Sequence, residues 1–186
     1  MFDMRPVGYV VGLLVMALGV AMLLPMLVDI AQGLGHWAVF AESAILTILI
    51  GSLVALACRN GVRAGLTIQQ TFLLTTGVWF ILPFFGALPF ILGATEARLV
   101  DGVFEAMSGL TTTGSTVLSG LDELPKGLLL WRGIMQWLGG IGIIVVAMVF
   151  LPELRVGGMQ VFRSEAFDTM GKIGRASCRE RVSSPV

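Results

Sequence analysis

Charge is what this chain has least of. Only 13% of its 186 residues are Asp, Glu, Lys or Arg, and the 12 basic residues are matched by 12 acidic ones, for a formal net charge of zero. Soluble domains carry about a quarter of their residues charged. No basic block is present that could neutralise a run of phosphates, which excludes nucleic acid as a partner. Histidine occurs once, at His36, and cysteine twice, at Cys58 and Cys178. A lone imidazole with no companion ligands makes no metal site. Two thiols so far apart form neither a CxxC pair nor a disulfide framework, and Cys58 reads as a small apolar filler. An enzyme would need acid, base or metal-binding groups converging at one depth, and no apolar run here holds such a set.

What takes the place of charge is hydrocarbon: 56% of the residues are hydrophobic and the mean hydropathy is +0.91. That is the composition of an integral membrane protein. A helix needs about 20 apolar residues to cross roughly 30 Å of hydrocarbon. Four stretches qualify: Val7–Val28, Trp37–Cys58, Thr71–Leu92 and Gly127–Leu151. The first is too long for a signal-peptide core and no small-residue cleavage site follows it, so it is a retained span. Arg5 before the first span, and Arg59 and Arg63 after the second, place those ends in the cytoplasm, N-terminus included. Arg155 and Arg163 after the fourth span agree. The other ends carry a mostly acidic set, Asp29, His36, Glu42, Glu96, Arg98, Asp101, Asp122, Glu123 and Lys126, which fits the outside.

Within the spans, Pro83 and Pro89 predict a kink or an end in the outer part of the third. Gly139, Gly140 and Gly142 in "WLGGIGI" lie inside an apolar span with no strand before them. They therefore serve close helix contact rather than dinucleotide binding. Glu42 and Arg132 sit toward the outer ends of their spans, where long charged side chains are expected to snorkel to the interface.

The segment between the third and fourth spans has a different character. In Leu99–Leu110, "LVDGVFEAMSGL", Val100, Val103, Phe104, Met107 and Leu110 recur at helical spacing, while Asp101, Glu105 and Ser108 fall off that stripe. The stripe predicts the buried face of a helix. Twelve residues reach only about 18 Å, too short to cross, so a half-length helix dipping in from outside is the expectation. "TTTGST" follows at once, Thr111 to Thr116. Non-helical backbone at membrane depth is tolerated only where it is buried in protein or lines a watery path. Carbonyl oxygens along such a path can replace an ion's hydration shell. Gly114 would supply the positive φ that turns them, and the hydroxyls would brace the loop or add ligands. The C-terminal end of the half-helix favours a cation beside it. Thr116, one step past these oxygens, is expected to weigh less. A hydroxyl-rich run is also ordinary loop composition, and a plain external loop is the competing reading.

The order span, half-helix, "TTTGST", span, with "FEAMSGLTTTGSTVLSGLDELPKGLLLWRGIMQWLGGIGIIVVAMVFLPELRVGGMQVFRSEA" over Phe104–Ala166, closely resembles the TrkH-type potassium uptake subunits of the Trk/Ktr/HKT superfamily. In that family four linked M1-P-M2 repeats, each similar to one potassium-channel subunit, surround one ion path. The resemblance implies an all-α integral membrane fold: an N-terminal two-span hairpin over residues 1–62, then one potassium-channel-like repeat over 63–155. In that repeat M1 is about 71–92, the re-entrant pore helix 99–110, the filter loop 111–116 and M2 about 127–151. Thr111, Thr112, Thr113, Gly114 and Ser115 would form the potassium-binding filter strand, with Gly114 matching the family's filter glycine. Potassium would be the transported substrate, with no cofactor and no other metal. The resemblance further implies a homodimer and a cytosolic nucleotide-binding regulatory subunit in the bacterial inner membrane.

The family's pattern continues through three more repeats after the point this chain has reached. Residues 156–173 read as a cytoplasmic segment, and "GRASCRERVSSPV" over 174–186 reads as a non-native tail, with a native polar end as the alternative. Two function classes stand at this point: a pore-forming potassium uptake subunit holding one of four filter strands, or a non-conducting packing subunit, inactive fragment or membrane-embedded enzyme whose hydroxyl loop is merely external.

Overall fold

The computed structural model describes residues 4–33, 35–59, 66–93, 95 and 97–153. The stretches 156–173 and 174–186 therefore lie outside the described residues, as does Arg63. Residues 1–146 form one compact unit; of the second, 147–186, only the helical continuation to Glu153 is described. No strand occurs among the described residues.

Four helices, or helix pairs, are long and apolar enough to cross a membrane: Arg5–Ala31, Trp37–Cys58, Gln69–Leu92 and Lys126–Met148. Prolines decide where they break. The first is divided into α1, Arg5–Ala21, and α2, Leu23–Ala31, because Pro25 has no N–H to give the Ala21 carbonyl. Helix α3 runs Trp37–Cys58, the bounds the hydropathy pattern predicts. Helix α4, Ile68–Gly86, opens on a capping box in which the Thr67 hydroxyl accepts from the Gln70 N–H and the Gln70 side chain accepts from the Thr67 N–H. Pro83 is carried inside α4, whereas Pro89 restarts the chain as α5, Leu88–Leu92. At that break the Phe90 N–H goes to the Ala87 carbonyl, and the Gly86 carbonyl takes the Trp131 indole N–H at 2.9 Å instead. Helix α6 is Leu99–Leu110, a 3₁₀ turn follows at Leu121–Glu123, and α7 runs Lys126–Glu153.

The hairpin of α1 and α3 is held by close backbone approach. A Cβ on Gly12 would stand 2.6 Å from the Ala55 nitrogen and 2.8 Å from the Gly51 carbonyl oxygen, and a Cβ on Gly51 would stand 2.6 Å from the Met16 nitrogen. In a bilayer, where lipid is as apolar as leucine, such small-residue contacts supply the packing that the hydrophobic effect does not. Cys58 lies at this seam, half-buried, its Sγ facing Gly8. A second layer joins this hairpin to the helices that follow: Leu18, Met22 and Phe40 pack with Phe90, Ala106, Leu110, Leu128, Trp131 and Met135 in one buried cluster. Ile45, Leu49, Leu53 and Leu56 of α3 stay exposed, a surface suited to lipid.

Helix α6 overturns one expectation. Its buried residues are Gly102, Glu105, Ala106, Ser108, Gly109 and Leu110, whereas Val100 is 73% and Phe104 44% exposed. Of the predicted stripe only Leu110 is buried. The physical reason is the solvent: in a membrane protein apolar side chains face lipid or apolar neighbours at little cost, while a carboxylate or hydroxyl taken out of water must find a partner inside the protein.

Candidate functional site

The loop that leaves α6 is built by the end of that helix. The Thr111 N–H closes on the Met107 carbonyl at 2.8 Å, Thr112 on Gly109 at 2.9 Å, and Thr113 and Gly114 on Ser108 at 3.0 and 3.3 Å. Two left-handed residues make this reversal, Thr112 at φ 58° and Gly114 at φ 76°. Glycine adopts that region freely. For Thr112 it costs on the order of 1 kcal/mol, the kind of strain that collects at functional sites. The pattern of Gly114 was legible in the sequence, that of Thr112 was not.

A trans peptide holds its N–H and C=O antiparallel. With the N–H groups of Thr112, Thr113 and Gly114 turned into the last turn of α6, the carbonyls of Thr111, Thr112 and Thr113 point away from it. None of these carbonyls, nor that of Gly114, accepts a hydrogen bond from a described residue. Ser115 differs, since its carbonyl accepts the Ser108 hydroxyl at 2.6 Å. The hydroxyls brace the loop: Thr111 Oγ1 donates to the Met107 carbonyl at 2.8 Å and lies 2.9 Å from Thr113 Oγ1. Thr112 through Thr116 are exposed.

Beyond Ser115 the chain is tied to a residue that pattern reading passed over. Glu105, 1% exposed, accepts at Oε1 from the Thr116 hydroxyl at 2.6 Å, the Val117 N–H at 2.7 Å and the Leu118 N–H at 3.3 Å. Its Oε2 lies 3.3 Å from Arg132 Nε on α7. Arg132, expected to snorkel outward, is instead turned inward with its side chain only 15% exposed. A buried carboxylate demands a cation and donors, and this cation is the price of Glu105 facing the protein. Thr116, one step past the proposed oxygens, supplies one of those donors through its hydroxyl. The signal available in the sequence was an acid in the short helix and a base in the next span; reading the helix by its apolar stripe hid it. Glu42 is exposed near the start of α3, as an interfacial residue would be.

Helix α7 backs the loop. Any Cβ at Gly139 would overlap the Leu110 carbonyl oxygen, Gln136 Nε2 lies 3.3 Å from where a Gly114 Cβ would stand, and Gly140 faces the Thr112 methyl. Close contact is thus the role of Gly139, while nothing lies within 4 Å of a Cβ at Gly142. Asp29, placed among the outer charges, is fully buried: Oδ1 accepts the Gly127 N–H at 2.9 Å and Oδ2 lies 3.6 Å from His36 Nδ1. At the outer end of α6, Arg98 binds Asp101 at 2.9 and 3.4 Å, and that hydrogen bonding, then the charge of Asp101, raises its pKa above the ordinary arginine value. Among the described residues no three His, Cys, Asp or Glu side chains gather as metal ligands would.

Residues 36–180 match the family model TrkH, described as cation transport protein. The chain is 40% identical over 164 residues to a Trk system potassium uptake protein TrkH of Halomonas elongata, covering 88% of this chain and 34% of that protein. It is 40% identical over 162 residues to TrkH of Escherichia coli K12, covering 87% and 33%. The crystal structure of the potassium transporter TrkH from Vibrio parahaemolyticus superposes with a TM-score of 0.78 at 37% identity, over 85% of this chain and 34% of that one. The chain thus spans about a third of the length of the relatives it matches.

Proposed function

The chain belongs to the TrkH family of cation transport proteins, and from that premise we propose that it forms part of a potassium-conducting pore, with residues 111–115 as one ion-facing strand. In this reading α4 with α5 is the first membrane-crossing arm of a repeat, α6 a re-entrant pore helix, and α7 the second arm. The pore helix and its loop enter and leave on the outer side of a bacterial inner membrane, with the N-terminus and Arg59 in the cytoplasm.

One observation carries it: a run of carbonyls, Thr111 to Gly114, that no described residue hydrogen-bonds, those of Thr111 to Thr113 held turned away from α6 by its own last-turn carbonyls. Such oxygens are free to replace water around a cation. The C-terminal end of α6 adds a favourable partial negative charge. Ser115 contributes its hydroxyl, since its carbonyl is committed to Ser108. The relatives named as potassium uptake proteins support potassium as the cargo. One strand encloses no site by itself, so the remaining strands come from elsewhere in the assembled transporter, which also pairs as a dimer and binds a cytosolic nucleotide-binding regulator.

The test is Gly114→Ser in a full-length family member carrying this segment. The φ of 76° makes any Cβ cost on the order of 1 kcal/mol, and tenfold discrimination is only about 1.4 kcal/mol. Uptake of potassium relative to sodium falls severalfold at matched expression, with Ser119→Ala as the unaffected control. An unchanged ratio would return the loop to a plain external turn.

A further inference from the structure

We infer that Glu105 and Arg132 form a positioning pair that fixes the outer end of the strand and thereby sets the discrimination between potassium and sodium. The inference rests on the reading of residues 111–115 as ion-facing.

The strand is held at both ends by α6. Its start is folded onto the carbonyls of Met107, Ser108 and Gly109, so the helix backbone itself fixes Thr111 to Gly114. Its end has only side-chain anchors: Ser108 on the Ser115 carbonyl, and Glu105 Oε1 on Thr116, Val117 and Leu118. Three donors on one carboxylate oxygen define the path of the chain immediately after the strand; the Thr116 and Val117 bonds, at 2.6 and 2.7 Å, have the short lengths of charge-assisted bonds, while the Leu118 N–H is shared with Thr116 Oγ1 at 3.0 Å. The other oxygen, Oε2, takes no hydrogen bond and is balanced by Arg132 at 3.3 Å. Glu105 thus links three segments, α6, residues 116–118 and α7, and Arg132 makes its charge tolerable at this depth.

Removing the charge on one side leaves the other buried and unpaired, which pulls on the anchor without touching any oxygen that would meet an ion. A glutamine at 105 still offers a carbonyl oxygen to the three donors but turns an amide toward Arg132. A merely structural role would lower stability and expression alike and leave the cation ratio of the surviving protein where it was. A positioning role moves the ratio.

The experiment uses a full-length transporter carrying residues 1–153 of this chain, with potassium and sodium uptake measured at matched membrane expression. Glu105→Gln and Arg132→Gln each lower the potassium-to-sodium ratio by about tenfold, a change worth roughly 1.4 kcal/mol. The double variant, which leaves no unpaired charge and lets two amides meet, recovers a large part of the loss. Thr116→Val removes one donor at an exposed residue and lowers the ratio by about threefold, and it decides the matter if Glu105→Gln fails to insert. A wild-type ratio in Glu105→Gln, or in Thr116→Val where the former is not inserted, overturns the pair's role if Gly114→Ser still loses discrimination. If Gly114→Ser is unaffected as well, the failure belongs to the ion-facing reading beneath it.

Discussion

Asp29 shows how one side chain joins two parts of the unit that are distant in sequence. Helix α7 begins with N–H groups that have no partner within the helix, and the one at Gly127 is taken by a carboxylate from α2 at 2.9 Å. An anion at a helix N-terminus is favoured by the dipole as well as by the bond. No water is at hand to replace it, because Asp29 is fully buried. Asp29→Ala is expected to lower stability by about 1–3 kcal/mol, read as a drop in the thermal unfolding midpoint in detergent. Asp29→Asn keeps an oxygen acceptor and falls less. Equal midpoints for Ala and wild type would mean that α7 is seated without this contact.

At the scale of elements, the decisive contact is between the last turn of α6 and the middle of α7. It exists because Gly139 presents no side chain where the Leu110 carbonyl passes. Backbone on both sides cannot yield cheaply, so Gly139→Ala costs on the order of 1–3 kcal/mol, as overpacking does. Gly142→Ala, with open space around it, leaves the melting midpoint unchanged; a Gly139→Ala protein as stable as wild type would show that the two helices can slide apart. These elements were legible to different depths. Length and hydropathy placed α3 and α6 at their observed bounds, Trp37–Cys58 and Leu99–Leu110. Of the two prolines read from the sequence, Pro89 marks a break because a missing N–H acts locally, whereas Pro83 is carried inside α4; the break before Pro25 was not read. The inward face of α6 was not legible, since periodicity shows that a helix has two faces but not which one a membrane protein keeps. The same limit hid Glu105, whose importance depends on Arg132 in the next span, and Asp29, whose partner is the backbone of Gly127.

For the molecule as a whole, the arrangement stands or falls on the number of times the chain crosses the bilayer. Helix α6 has 12 residues, about 18 Å of helix, against roughly 30 Å of hydrocarbon. If it enters and returns, Asn60 and Asp122 lie on opposite sides, because one crossing, α4 with α5, separates them. If α6 and its loop crossed, there would be two crossings and both residues would share a side. With Cys58→Ala and Cys178→Ser removing the native thiols, single cysteines at Asn60 and at Asp122 can be probed with a membrane-impermeant maleimide in intact cells and in inverted vesicles. The proposed orientation puts the first position, beside Arg59, in the cytoplasm by the positive-inside rule. Asp122→Cys is therefore labelled in intact cells and Asn60→Cys only in inverted vesicles. Labelling of both from one side would make α6 a crossing element. The Thr111–Gly114 carbonyls would then have no outer path to line, and the pore reading would fail with them.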